Sequence, residues 1–307
     1  MKVPVCVLGL GLIGGSVLRA ASASGRQAWG YNRSGVAAAD GFDVGSDLAA
    51  ALRRAAAEDA LIMLAVPMTA VDHVLAAVAA VAPDCALTDA VSVKTAVVHA
   101  VARHGLSRRY VGGHPMAGTS ESGWAASSAA LFRGAAWVLA ADDGLDVEVW
   151  RAVAQLALDC GAHVVPAAAA EHDAAVARIS HLPHVLAAVL AAVGGDGGEL
   201  ALSLAAGSFR DGTRVAATRP ELVRAMCEAN DAALLAALDD TVARLTDARE
   251  SLRSSGSLAG VADEGYAARL RFDQLQRRAI TSIDFTAADV MAQLREAGRT
   301  GGALRAS

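Results

Sequence analysis

Val3-Pro4-Val5-Cys6-Val7-Leu8-Gly9-Leu10-Gly11-Leu12-Ile13-Gly14 decides the fold of this chain. Six mostly apolar residues ended by glycine read as a parallel strand buried on both faces. Leu12 to Ser24 then has helical character and stops near Gly25, and Gln27 to Tyr31 reads as a second strand. Together these make one strand–helix–strand unit of the usual length, about 30 residues. A GxGxxG turn alone is common, but between a buried strand and a helix it points to dinucleotide binding. Gly9 permits the tight turn, Gly11 lets the backbone approach a pyrophosphate, and Gly14 lets helix and strand pack closely. The first amides of the helix, from Leu12 and Ile13 onward, then face the phosphates.

The alternation continues outward from this unit. Leu61 to Val66 is a strand closed by Pro67, and Val66 and Pro67 join the expected cofactor contacts. Thr69 is expected to cap the helix that follows. Ala86–Thr88, Val111–Gly113, Ala136–Ala140 and His163–Val165 are further strands. Such alternation predicts a doubly wound parallel sheet. Beyond Pro166 almost nothing reads as strand. One long helix is expected from Ala169 to Val193. Another begins at Thr218-Arg219-Pro220-Glu221, with apolar residues at three- and four-residue steps as far as Leu245. A Ser/Gly-rich break spans 253–260, and 301–307 reads as a frayed tail. The expected fold class is therefore an α/β Rossmann-type domain over residues 1–166, followed by an all-α domain over 167–307.

Composition narrows the partners. The 307 residues are 54% hydrophobic and only 4% aromatic, with a net charge of −5. An acidic chain speaks against nucleic acid, which is gripped by a basic face. Lysine occurs only at Lys2 and Lys94. The four scattered cysteines, Cys6, Cys85, Cys160 and Cys227, have no CxxC spacing and read as buried thiols in a reducing cytoplasm. No signal peptide is legible. The apolar run from Val185 to Val193 is too short to span a bilayer, so no membrane segment is expected. The helices of the second half are apolar over wide faces, which predicts a homodimer.

The end of the second strand bears on cofactor choice. NAD binders usually carry an acid there for the ribose 2′-hydroxyl. This chain has Asn32-Arg33-Ser34 instead. Arg33 can pair with a 2′-phosphate, and Asn32 and Ser34 can donate to it, so NADP is expected ahead of NAD.

Further motifs follow in order: Asp89-Ala90-Val91-Ser92-Val93-Lys94, Gly113-His114-Pro115-Met116-Ala117-Gly118-Thr119, Glu171-His172-Asp173, Ser180-His181-Leu182-Pro183-His184, and Gly207-Ser208-Phe209-Arg210-Asp211-Gly212-Thr213-Arg214. With the glycine turn, this ordered set resembles the TyrA family, the prephenate and arogenate dehydrogenases of tyrosine biosynthesis. The resemblance implies oxidative decarboxylation of a small cyclohexadienyl substrate, with hydride passing to the dinucleotide. It implies that His114 is the base and that Ser92 bonds the substrate hydroxyl. It also implies that Arg214 binds the ring carboxylate, His184 stands on the substrate side, and Gly118, Thr119 and Gly207 line the pocket. A neutral imidazole suits proton removal near pH 7, and a guanidinium fork suits a carboxylate.

Asp211, three residues before Arg214, is expected to hold it across one helical turn. Lys94 is read as a helix-start lysine facing water, and Glu121 as a solvated loop acid. Pro183 is expected to kink its helix and turn His184 toward the substrate. His172 and His181 are read as structural, bonding across the domain interface. Their spacing, with no completing cysteine or acid, predicts no metal site. Two rivals remain at this level. A β-hydroxyacid dehydrogenase would use a lysine in the second domain, where this chain has none, and a non-catalytic NADP sensor would not require Ser92, His114 and Arg214 together. The chain length leads to the expectation of a monofunctional enzyme without a mutase or regulatory domain.

Overall fold

The computed structural model describes residues 2–36, 41–119 and 121–306. Its chain divides into two compact units, Met1–His172 with Arg278–Ser307, and Asp173–Arg277.

The first unit opens with β1 (Val5–Leu8), α1 (Leu12–Ala23), β2 (Ala28–Tyr31), β3 (Val44–Gly45), α2 (Leu48–Ala57) and β4 (Leu61–Leu64). It continues through α3 (Met68–Val81), β5 (Leu87–Asp89), α4 (Thr95–Arg103) and β6 (Tyr110–Val111). These strands form one six-stranded sheet in the order β3-β2-β1-β4-β5-β6, and every pairing in it is parallel. That is the Rossmann order, with its reversal point between β1 and β4. All residues of β1 and β4 are buried, because helices cover both faces.

The sheet does not extend further as one parallel array. Gly112 separates β6 from β7 (Gly113–Pro115), and the chain leaves the first sheet there. A second, three-stranded sheet has the order β7-β8-β9, with β8 (Ala136–Ala140) antiparallel to β7 and parallel to β9 (His163–Ala167). The strands expected at 136–140 and 163–165 are therefore real but belong to this smaller sheet. Helix α5 (Val147–Asp159) joins β8 to β9 and buries Val149, Trp150 and Val153 in a core shared with Trp137 and Phe132.

Two local expectations differ. Helix α3 starts at Met68, directly after Pro67, with no side-chain cap from Thr69. The segment after residue 277 also differs from a helical domain ending in a frayed tail. It forms β10 (Arg278–Ala279), α13 (Val290–Arg299) and β11 (Gly302–Ala303), and Leu304 bridges to Val164 beside β9. This C-terminal segment belongs to the first unit. Its order comes from Val290, Met291 and Leu294, which enter that unit's core.

The second unit is helical. α6 (Ala169–Val176) carries the division between the units after His172, passes through a π-helical turn over Ala177–His181, and continues as α7 (Leu182–Asp196). The π turn widens the helix directly ahead of Pro183, whose ring supplies no N–H to the preceding turn. Over Ala169–Asp196 the helix is, by length and composition, long and apolar enough to cross a membrane. The run expected to be too short, Val185 to Val193, is part of this longer helix. There follow α8 (Gly198–Ser203), α9 (Gly207–Thr213), α10 (Pro220–Glu228), α11 (Asp231–Ser255) and α12 (Ala259–Gln274). The single helix expected from Thr218 is two, broken at Ala229-Asn230. Helix α11 closes on Gly256 in the left-handed conformation.

Candidate active site

The glycine turn lies between the carboxyl end of β1 and the amino end of α1. Gly9 has φ +97°, and a Cβ there would stand 2.6 Å from the Ala65 carbonyl oxygen. A Cβ on Gly14 would strike the Gly9 carbonyl. Both positions exclude a side chain. Around Gly11 nothing lies within 4 Å of where a Cβ would be, and Gly11 precedes α1 without any side-chain cap. The turn therefore leaves open space against uncapped helix amides. That is the cradle a dinucleotide pyrophosphate requires, and the residues present fit it. Val66 and Pro67 flank it: the Val66 Cγ1 would stand 2.9 Å from a Cβ on Gly9.

Asn32 departs from expectation. Its Oδ1 accepts from the Leu10 N–H at 3.2 Å, and its Nδ2 donates to the Gly35 carbonyl at 2.9 Å. The side chain ties the end of β2 to the glycine turn with one donor and one acceptor site, and its second Nδ2 hydrogen is not used by these bonds. Arg33 and Ser34 are exposed.

Beyond the last residue of β5, Asp89, the chain turns through Ser92 into α4. Lys94 is the clearest correction. It is fully buried, not solvent-facing. Its Nζ donates to Asp89 Oδ1 and to the Gly113 carbonyl. Asp89 is equally buried and accepts from the Val91 N–H at 2.8 Å, the Tyr110 hydroxyl at 2.6 Å and the Gly113 N–H at 3.2 Å. An ion pair this deep persists only when its remaining hydrogen-bonding capacity is satisfied, and here it is. The network joins the Ser92 loop to Gly113, the residue before His114. Ser92 and His114 are thereby held at the carboxyl edge of the parallel sheet, where ligands of open α/β folds bind.

His114 is half-buried on β7. Its Nδ1 lies 2.8 Å from Nε2 of His172, and the two rings meet edge to face with centroids 5.0 Å apart. His172 is 3% exposed. His172, expected at the boundary between the domains, is the last residue of the first unit before the division at Asp173, and it stands against the candidate base. A histidine opening the helix after β9 was the only available signal, and it did not reveal the partner. Gly118 and Thr119 follow in an exposed loop, where the Glu121 N–H donates to Thr119 Oγ1 at 3.2 Å.

The remaining expected residues stand in the helical unit. His184 Nδ1 donates to the Ser180 carbonyl at 2.9 Å, so the neutral ring carries its lone pair on Nε2. His181 is buried, with Nδ1 3.1 Å from Asn230 Nδ2, and Asn230 also donates to the Asp173 carbonyl. Asn230, His181 and the Asp173 carbonyl all belong to the helical unit. Gly207 begins α9, which packs tightly on α7: a Cβ on Gly212 would stand 2.9 Å from Leu190, and Phe209 fills the space beside Gly194. Arg214, exposed, begins the short turn after α9. Among the described residues no ion pair joins it to Asp211. Among the described residues no three His, Cys, Asp or Glu side chains cluster as metal ligands. All four cysteines are buried thiols, and burial pushes Cys6 and Cys160 up to about 12.

A Rossmann sheet with an open glycine turn, and an imidazole pair at the sheet's carboxyl edge, define an NAD(P)-dependent oxidoreductase. Family models narrow this: "Prephenate dehydrogenase, nucleotide-binding domain" matches residues 17–166, and "Prephenate dehydrogenase, dimerization domain" matches 168–259. The chain belongs to the prephenate dehydrogenase family. It is 32% identical over 259 residues to the cyclohexadienyl dehydrogenase of Zymomonas mobilis, covering 81% of this chain and 88% of that one. A solved structure of a candidate prephenate dehydrogenase from Corynebacterium glutamicum is 50% identical, covers 99% of both chains and has a TM-score of 0.94. The prephenate dehydrogenase of Aquifex aeolicus, solved with hydroxyphenyl propionate and NAD+, is 25% identical, covers 89% of this chain and 99% of that one, and has a TM-score of 0.80.

Proposed function

We propose that this enzyme oxidises a prephenate-type ring alcohol with NADP+ in preference to NAD+, using His114 as the base. The reaction is the oxidative decarboxylation of tyrosine biosynthesis. Bound at Gly9, Gly11 and Gly14, the dinucleotide supplies a hydride acceptor. His114 takes the proton of the ring hydroxyl as C4 loses its hydride. The ring carboxylate leaves as carbon dioxide, its bonding electrons complete the aromatic ring, and the proton returns to the phenolic oxygen. Ser92 hydrogen-bonds the hydroxyl and orients it toward the base. Arg214 binds the ring carboxylate, with His184, Gly118, Thr119 and Gly207 completing the substrate contacts. The product is 4-hydroxyphenylpyruvate from prephenate, or tyrosine from arogenate.

One observation carries this reading: Asp89 and Lys94 lock the Ser92 loop to the strand of His114 at the carboxyl edge of a dinucleotide sheet. Arg33, exposed at the end of β2 where NAD binders carry an acid, supports NADP preference. The exposed apolar side chains of the helical half support a homodimer, and the chain's four unbridged cysteines support a reducing cytoplasm. His114→Asn tests the chemistry. Turnover should fall by about 10²–10⁴-fold, the usual contribution of a general base, with dinucleotide binding retained. Turnover at the parent rate would end the assignment. Steady-state assays with prephenate and arogenate, each with both dinucleotides, settle substrate and cofactor together.

A further inference from the structure

We propose that His172 is a positioning residue that fixes the orientation and tautomer of His114, and that the C-terminal segment 290–304 holds His172 there. The inference rests on His114 being the base.

Two imidazole nitrogens 2.8 Å apart require one donor and one acceptor. If His172 donated, the lone pair of His114 would be used at Nδ1, its proton would sit on Nε2, and Nε2 could not accept another. The productive arrangement is the reverse. His114 Nδ1–H donates to His172 Nε2, which leaves the Nε2 lone pair of His114 for the substrate proton. Once His114 is charged, the same bond becomes charge-assisted, so a neutral His172 favours the protonated base.

The mounting of His172 is built from several directions. At the start of α6, the Asp142 carboxylate accepts from the Ala169 N–H at 3.1 Å. Glu171 accepts from the Ala168 N–H at 3.1 Å through one oxygen, and from Arg299 Nε at 2.7 Å through the other. Arg299 is the last residue of α13. That helix presses on β9 so closely that Gly298 has no room for a Cβ beside the Pro166 carbonyl. Arg295 donates to the Ala141 carbonyl at 2.6 Å and pairs with Asp143 at 2.8 Å. Leu304 and Val164 exchange backbone hydrogen bonds at 2.8 and 2.9 Å. The segment lies beyond residue 259, outside both matched family regions. The charged groups on the elements that carry the imidazole pair are Glu171 and Asp173 on either side of His172, Arg299 and Asp142 bonded at the start of α6, and Asp89 with Lys94 bonded to Gly113.

The experiment compares His172→Leu, His172→Gln, Arg299→Ala and His114→Asn in the full-length enzyme, with thermal midpoint and dinucleotide titration as folding controls. His172→Leu should lower kcat by about 10²-fold, as loss of reactive geometry does, with KM unchanged. The acid limb of its pH profile should move to lower pH, because the protonated base has lost its acceptor. His172→Gln keeps a carbonyl acceptor and should restore most of kcat and the pH midpoint. Arg299→Ala should lower kcat by less. Parent kcat and pH profile in His172→Leu would overturn the proposal, as would equal loss of kcat in Leu and Gln variants. An inactive His114→Asn beside an unaffected His172→Leu defeats only this inference, whereas an active His114→Asn defeats the assignment of the base.

Discussion

The two units of this chain solve the burial problem in opposite ways. The first closes on itself. Its strands are apolar throughout, and the largest fully buried side chains, Trp137, Trp150, Lys94 and Phe132, all belong to it. In the second, Leu234 and Val176 are among the few buried apolar residues larger than alanine. Apart from Val3, every large apolar side chain standing exposed among the described residues lies between Ile179 and Leu275. Monomeric proteins rarely leave so much apolar surface in water. The difference teaches that the dinucleotide unit buries its own large apolar side chains, whereas the helical unit leaves many of its own exposed. Residues 168–259 match a family model described as a dimerization domain, and the homodimer proposed above would cover that surface.

The sharpest way to break the comparison is to attack the centre of the closed unit. Lys94→Met leaves the Asp89 carboxylate buried without its cation. The expected loss is about 3–5 kcal/mol, the cost of orphaning one member of a buried pair. For a chain of this size that is a fall in thermal midpoint of roughly 10 °C. In the helical unit, Arg244 and Glu264 stand 2.7 Å apart with both side chains 69% exposed. Arg244→Ala should leave the midpoint where it is, since exposed pairs are screened and mobile. Equal shifts in the two variants would remove the distinction between the units.

The second test is of the covering surface. Val189 and Val193 lie on α7, 54% and 64% exposed. Replacing both with aspartate should move the mass in solution from dimer to monomer, measured by light scattering, because a charge cannot be buried unpaired at an interface. An unchanged mass would place the subunit contact elsewhere. A smaller effect tests the closed unit at its rim. Arg33→Ala should raise KM for NADP+ about tenfold, the value of one charge-assisted contact, and leave KM for NAD+ unchanged.

The same contrast explains what the sequence made legible. The strand, turn and helix of residues 5–23 could be read directly because each signal is local: an apolar run, glycines at fixed offsets, then helical character. Ser92 and His114 stand in local motifs that a reading of the sequence can find, and their roles are those proposed above. Lys94 was misread because its burial depends on Asp89 and on a carbonyl at Gly113, which only the folded sheet brings together. The segment 290–304 was misread for the same reason, and the contact of His172 with His114 spans 58 residues and leaves no local pattern. A two-residue strand such as Gly302–Ala303 has no periodicity and takes its order from the neighbouring β9 region. The bond of Asn32 to the Leu10 amide spans 22 residues and leaves no pattern that a local reading could find.

The smallest expected effect concerns the brace on α6. Burial raises the Glu171 carboxyl, but the Arg299 guanidinium and the Ala168 N–H outweigh it and hold it below the usual carboxylate range. A carboxyl lowered in the folded state binds its proton more readily in the unfolded chain. Its stabilising contribution is therefore full above the unfolded value, near pH 4.3 for glutamate, and is lost as pH falls through the lower folded value. The pair is two-fifths to one-half exposed, so solvent screening keeps the contribution small. Thermal midpoints measured between about pH 6 and pH 3 should fall slightly less steeply in Arg299→Ala than in the parent, because the variant has already lost that increment. A steeper fall in the variant would mean that Arg299 does not depress the Glu171 carboxyl, and that α13 holds the start of α6 through packing at Gly298 alone.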